Sequence, residues 1–181
     1  MALPVPNLDD GVVALRPPLP ADLDAITDAC QDPEIPRWTR VPNPYTRDHA
    51  VEFVERSTRT WKRGTDAPFV IVDASTGELL GAIGVHRLGG EDDGPEVGYW
   101  LRREARGRGV ATRALRLVTD WACSELGVRL LLQADVRNLA SRRVAEKARF
   151  RYVGEGTAPP GCGACDTMAV YELAPEELAA R

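Results

Sequence analysis

Residues Arg106-Gly107-Arg108-Gly109-Val110-Ala111-Thr112 stand between a strand-like run, Glu96-Val97-Gly98-Tyr99-Trp100-Leu101, and a helix-like run from Ala114 to Leu126. The chain must therefore turn a strand into a helix through a glycine-rich corner. Backbone N–H groups in the first turn of a helix have no intrahelical acceptor and carry the positive end of the helix dipole, so such a corner is a ready anion site. Gly107 and Gly109 remove side chains that would hold a phosphate away, and Arg106 and Arg108 add charge. Two familiar phosphate cradles do not fit. The Lys-Ser/Thr that follows the second glycine of a P-loop is absent, and so is the three-glycine dinucleotide fingerprint.

Strand and helix patterns alternate along the rest of the chain. Val12 to Arg16 reads as a short apolar strand stopped by Pro17-Pro18, and Pro20-Ala21-Asp22-Leu23 opens a helix running to about Cys30. Pro33, Pro36, Pro42 and Pro44 make residues 32–45 a loop with at most a broken turn. Thr46-x-x-His49 starts a second helix, with Ala50, Phe53, Val54, Ser57 and Trp61 at helical spacing. Phe69 to Val72 and Leu79 to His86 form a hairpin, which Glu96 to Arg102 extends. Beyond the glycine corner, Leu115, Val118, Thr119, Ala122 and Leu126 give the third helix one apolar face. Arg129 to Val136 reads as a buried strand and Leu139 to Ala148 as a helix, with closing strands at Phe150 to Gly154 and Thr167 to Leu173. The pattern predicts a single α/β domain over about residues 10–175, with about seven strands and about four helices.

The net charge of −4 lacks the basic surplus that a nucleic-acid binder needs. Arg102, Arg103, Arg106, Arg108 and Arg113 form a local basic cluster that suits a small polyanion better than a polymer. No apolar run is long enough to span a bilayer and no signal peptide opens the chain, so a soluble cytoplasmic protein is expected. Cys162 and Cys165 form a C-x-x-C motif, but it sits in a Pro/Gly loop rather than at a helix start, and for the two further ligands a zinc site needs, only His49, His86 and the distant Cys30 and Cys123 are available. Reduced loop cysteines and no metal are the expectation.

The glycine corner matches the pattern Arg/Gln-x-x-Gly-x-Gly/Ala, and with it the chain resembles the GCN5-related N-acetyltransferases over essentially Val12 to Leu173. Glu-Val-Gly-Tyr-Trp-Leu at 96–101, together with Ser141 in Asn138-x-x-Ser141, is similar to the branch that acetylates the N-termini of ribosomal proteins. The resemblance implies a mixed central sheet in which the strands at Glu96–Arg102 and Arg129–Val136 splay apart at a bulge. It implies that Arg106, Gly107, Arg108, Gly109, Val110, Ala111 and Thr112 hold the pyrophosphate of acetyl-CoA, that Trp100, Leu101 and Arg102 lend main-chain contacts to pantetheine, and that Asn138 and Ser141 border the thioester. Gly98 is consistent with the bulge or with close backbone approach.

On the same resemblance, Ser141 protonates the leaving thiolate and Glu96 lies near the acceptor amine, where it could take the amine's proton directly or through a water, or simply attract the amine. The tyrosine that many family members carry seven residues after the Asn is replaced by Ala145. The acceptor is a primary amine, either a protein N-terminus or a small amine, attacking directly in a ternary complex. Trp38, Tyr45 and His86 are candidates for the acceptor pocket, and Glu91-Asp92-Asp93 could attract a cationic acceptor. A succinyl-CoA or other acyl donor, or a silent CoA-binding domain, remains open on the same fold, and a homodimer is compatible with it. Arg149 stands where the family usually has Gly, which implies a different helix cap or a small strain.

Overall fold

The computed structural model describes residues 3–90, 94–157 and 167–176. Its centre is an eight-stranded mixed sheet: β1 (Leu8–Asp9), β2 (Val13–Arg16), β3 (Ala67–Asp73), β4 (Leu79–His86), β5 (Glu96–Leu101), β6 (Leu130–Asp135), β7 (Arg151–Thr157) and β8 (Thr167–Leu173). Its spatial order is β1-β2-β3-β4-β5-β6-β8-β7, and every neighbouring pair is antiparallel except β5 and β6. Five helices accompany it: α1 (Leu23–Ala29), α2 (Glu34–Trp38), α3 (Arg47–Arg63), α4 (Val110–Glu125) and α5 (Leu139–Lys147).

Alternation of side chains along a strand feeds two hydrophobic layers. On one face Phe69 and Ile71 of β3 join Leu115, Val118, Trp121 and Ala122 of α4, with Trp61 closing an aromatic cluster. Phe69 stands edge-on to both Trp61 and Trp121 at centroid separations of 5.2 and 5.7 Å, a favoured geometry for aromatic pairs. On the other face Val70 and Val72 join Ile26 and Ala29 of α1 and Ala50 and Val54 of α3. Burial on both faces is why β3 and β4 read as continuous apolar runs rather than alternating ones.

The sheet has one strand more, and the described residues one helix more, than the pattern predicts. The two-residue β1 is too short to leave a periodic signal. Helix α2 forms despite Pro33 and Pro36 because Pro33 occupies the cap position and Pro36 lies in the first turn, where N–H groups have no helical acceptor to lose. It ends at Trp38, so residues 39–45 remain the expected loop. Strand β7 continues to Thr157 rather than stopping at Gly154, with a register irregularity between Tyr152 and Gly154. Arg149 adopts φ +70°, the left-handed conformation for which glycine is usual.

The ladder between β4 and β5 runs without a register shift from Gly81–Leu101 to His86–Glu96. The expected bulge in β5 is therefore not present on its β4 side. A close approach occurs one strand over, at Gly81: a Cβ there would collide with the Trp100 carbonyl oxygen and lie 2.8 Å from Leu101 Cδ2. Glycine at 81 lets the end of β5 press onto β4 just before the glycine corner. Gly81→Ala is expected to lower stability by about 1–3 kcal/mol, the usual cost of overpacking, read as a shift of the urea midpoint at unchanged slope. An unshifted midpoint would show that β5 can retreat freely.

Candidate active site

Strands β5 and β6 pair at a single register position, Glu96 with Leu131, supported by the Leu131 N–H donating to the Pro95 carbonyl at 2.9 Å. Past that point they part. A cavity of about 1160 Å³ occupies the gap, and residues from both faces of the sheet line it. Tyr99, Leu132, Ala134 and Ser141 come from the α4–α5 side, and Phe53, Tyr45, Ala82 and Trp100 from the α1–α3 side. The cleft thus passes through the sheet.

At one end lies the glycine corner. Gly107 and Gly109 have φ +72° and +79°, and Gly109 is the N-cap residue of α4. Left-handed backbone at both positions explains why the sequence has glycine there, since a Cβ would meet nothing but would strain the chain. The first helical hydrogen bond runs from the Arg113 N–H to the Gly109 carbonyl at 3.1 Å. The N–H groups of Val110, Ala111 and Thr112 precede it, and all three residues line the cavity.

The arginines of the corner have distinct positions. Arg106 donates to the Leu101 carbonyl at 2.9 Å and lies 2.9 Å from Asp32 Oδ2, an ion pair without hydrogen-bond geometry. Arg103 reaches the other carboxylate oxygen, Oδ1, at 3.2 Å. Arg102 lies outside the cavity lining, with its N–H on the Leu80 carbonyl and its guanidinium on Asp28. Arg108 is exposed and also lies outside the lining. Arg106, Gly107, Trp100 and Leu101 do line it.

Helix α5 supplies the next wall. Asn138 caps it, its side-chain oxygen accepting the Ser141 N–H at 3.1 Å. Arg142 donates to the Val136 carbonyl and to the Tyr171 hydroxyl, both at 3.1 Å, which ties the first turn of α5 to the end of β6 and to β8. Ser141 faces the cleft and accepts a hydrogen bond from the Tyr99 hydroxyl at 3.1 Å. Burial pushes the Tyr99 phenol up to about 12, against a smaller lowering by Ser141. Tyr99 was not among the residues singled out by sequence. Its signal was its position in β5, on the face opposite Glu96.

On the α1–α3 face the antiparallel ladder places His86 opposite Glu96, Gly84 opposite Gly98, and Ala82 opposite Trp100. At Gly98 the floor is hollow, since a Cβ there would meet nothing within 4 Å, whereas the His86 ring covers Gly84, where a Cβ would lie 3.3 Å from the imidazole. Trp38, Tyr45 and His86 all line the cavity. Glu96, its side chain only 12% exposed, accepts from Arg87 Nη2 at 3.0 Å and lies 4.0 Å from Arg40 Nη2. Both arginines escaped the sequence reading because each is remote from Glu96 in pattern. His86 Nδ1 lies 3.3 Å from Asp66, which lowers the Asp66 carboxyl below its usual range. Residues 91–93, with the acidic triplet, and the loop carrying Cys162 and Cys165 lie outside the described residues. Among the described residues no cluster of three or more His, Cys, Asp or Glu could hold a metal ion, and no helix is long and apolar enough to cross a membrane.

The pattern of an acetyltransferase (GNAT) domain matches residues 13–151. The chain belongs to the GNAT family. It is 37% identical over 86 residues to the putative ribosomal N-acetyltransferase YdaF of Bacillus subtilis, covering 47% of this chain and 46% of that protein. It is 34% identical over 111 residues to the probable N-acetyltransferase YjcK of the same organism, covering 60% and 59%. The chain thus spans only about half of the length of these relatives. The structure of Mycobacterium smegmatis RimJ in complex with CoA-disulfide superposes with a TM-score of 0.83 at 23% identity, over 93% of this chain and 84% of that one, a likeness of fold.

The Asp32 contacts hold α2 and the glycine corner together and generate an acid sensitivity. Burial alone would raise the Asp32 carboxyl, but the Arg103 hydrogen bond, the Glu34 N–H and the charges of Arg106 and Arg103 more than offset it, so the group lies below its ordinary 3.8. A carboxylate depressed on folding stabilises above its unfolded pKa, and that stability is lost as pH falls through the folded value. Asp32→Asn should therefore melt below the parent at neutral pH, with the difference shrinking as pH drops below about 4. A constant difference across that range would show that the ion pairs contribute nothing.

Proposed function

We propose that the protein is an acetyl-CoA-dependent N-acetyltransferase that moves an acetyl group to a primary amine, a protein N-terminus or a small amine. The observation that carries this reading is the left-handed glycine corner at the start of α4, opening onto a cleft that passes between the parted strands. A pyrophosphate is a compact polyanion, and a first helical turn with uncommitted N–H groups is suited to it. The two glycines fit such a group because space lies open where their Cβ atoms would be. In this reading Gly107 to Thr112 hold the pyrophosphate, while Arg106 braces the corner through Asp32. The RimJ relative in fold, solved with a CoA-disulfide, supports the choice of ligand class.

A cleft open to both faces allows the two substrates to meet from opposite sides of the sheet. Direct attack needs a neutral amine, a polarised carbonyl and a proton for the departing sulfur. The amine nitrogen forms the new C–N bond and gives up a proton, the C–S bond breaks with its electron pair going to sulfur, and the sulfur takes a proton. Glu96, at the head of the hollow floor, accepts the amine's proton directly or through a water. Ser141, on the other side of the gap, donates to sulfur. Trp38, Tyr45 and His86 wall the acceptor end, and the ribosomal name of the YdaF relative supports a protein N-terminus as the acceptor.

Gly109→Asp sets a side chain and a negative charge at the cap of α4 and is expected to abolish CoA binding in calorimetry. Undiminished affinity would put the nucleotide elsewhere. Glu96→Gln removes the charge at nearly constant shape. Its rate should fall, and its pH profile should move upward, because more of the amine must then be deprotonated by solvent. A profile overlaying the parent in height and position would remove Glu96 from the reaction.

A further inference from the structure

Where β5 and β6 have parted, no ladder hydrogen bond links the two sides of the cleft. The Tyr99 hydroxyl crosses it instead, from the middle of β5 to Ser141 in the first turn of α5, at 3.1 Å. Both residues line the cavity. The Tyr99 ring lies on the α4 face, packed against the hydrophobic layer that holds Val97 and Leu115, so its hydroxyl has little freedom to move. Ser141 is fixed from its other side by the Asn138 cap on its own N–H.

We infer that Tyr99 is a positioning residue for proton donation by Ser141, holding the serine oxygen through a hydrogen bond and directing the serine's own proton into the cleft. A serine hydroxyl carries one proton and two acceptor lone pairs, and the proton rotates to suit its surroundings. With one lone pair engaged by the tyrosine O–H, the serine proton cannot lie along the line to Tyr99 and is turned toward open space. The same bond stabilises negative charge that develops on the serine oxygen as its proton moves to sulfur, which makes serine a better acid than it is in water. Burial keeps the Tyr99 phenol protonated well above neutral pH, so it stays a donor through the working range.

The proton balance closes within the site. As the C–S bond breaks, the electron pair stays on sulfur and the Ser141 proton joins it, giving a thiol. The serine oxygen recovers a proton through solvent in the cleft, and Glu96 gives up to that solvent the proton it took from the amine nitrogen. Tyr99 ends the cycle with the proton it began with. Tyr99 acts through serine rather than on sulfur itself.

The inference rests on the assignment of Ser141 given above, and a double-mutant cycle separates the two. Ser141→Ala, Tyr99→Phe and the double variant are compared in kcat, in KM for acetyl-CoA and the amine, and in CoA affinity by calorimetry. Ser141→Ala should lower kcat by roughly 10²–10⁴. Tyr99→Phe keeps the ring and its packing, so a purely structural residue would leave kcat unchanged. The expected result is a fall of at least about tenfold in kcat, the order of one lost donor to a developing charge, with KM and CoA affinity at parental values. The double variant should be no slower than Ser141→Ala, because the tyrosine acts only through the serine.

Loss of activity in Ser141→Ala beside parental kcat in Tyr99→Phe would overturn the inference and leave the serine assignment standing. Multiplicative losses in the double variant would do the same, as would a fall in Tyr99→Phe matched by lost CoA affinity. Full kcat in Ser141→Ala would overturn the serine assignment and the inference with it.

Discussion

Parallel strands in this sheet meet at one place only, and they stay together for one residue pair. Glu96 faces Leu131, the Pro95 carbonyl takes the Leu131 N–H, and beyond that the backbone of β5 turns its inner edge to open space. Neighbouring strands normally satisfy each other's N–H and C=O groups along their whole length, so an early parting leaves polar backbone facing a cavity. Such groups need a partner from outside the sheet. A ligand with an extended amide-bearing arm is a natural one, and the cleft it would occupy leads straight to the glycine corner. The parting is tolerated because each strand is secured on its far side, β5 by six residue pairs with β4 and β6 by six with β8.

The parting also dictates how the two halves of the site are held. On the β5 side, the close approach at Gly81 and the Arg106 bond to the Leu101 carbonyl fix where the strand ends and the corner begins. Asp32, its side chain 9% exposed, binds this corner to the start of α2 by two arginines. The segment carrying Trp38 and Tyr45 therefore connects mechanically to the glycine-corner end of the cleft. On the β6 side, Asn138 and Arg142 set the first turn of α5 against the end of β6, and Arg142 extends that hold to Tyr171 of β8. Among the described residues, the Tyr99–Ser141 hydrogen bond spans the distance between these two assemblies. Its value as a constraint comes from this: both ends are already fixed by other contacts, so little entropy remains to be lost in forming it.

Much of the architecture was legible in the chain. The β4 and β8 boundaries, Leu79–His86 and Thr167–Leu173, match the apolar runs, and α3 begins at the Thr46 cap with its apolar face on Ala50, Val54, Ser57 and Trp61. These are long, strongly patterned segments in which local propensity and burial agree. The elements that escaped are short. Helix α2 carries prolines that argue against it, yet the positions of those prolines at the cap and first turn remove the objection. Glycine within a strand suggested a bulge or a close backbone approach at Gly98, but that glycine pairs in register with Gly84 and no atom lies within 4 Å of where its Cβ would be.

By itself the sequence determined the order of the longer elements and the glycine corner with its backbone donors, and its resemblance to the GNAT family pointed to Glu96, Asn138 and Ser141, all of which line the cleft. The corner and the longer elements depend on spacing within a few residues, where one strand, one turn or one helix start decides the outcome. Tertiary structure alone decided that Arg87 and Arg40 reach Glu96, that Asp32 clasps Arg103 and Arg106, and that Tyr99 meets Ser141 across 42 positions of chain. Those contacts are set by which strands become neighbours and by where two of them separate. Strand order and the point of parting come from the packing of whole layers, and no local pattern of residues encodes them.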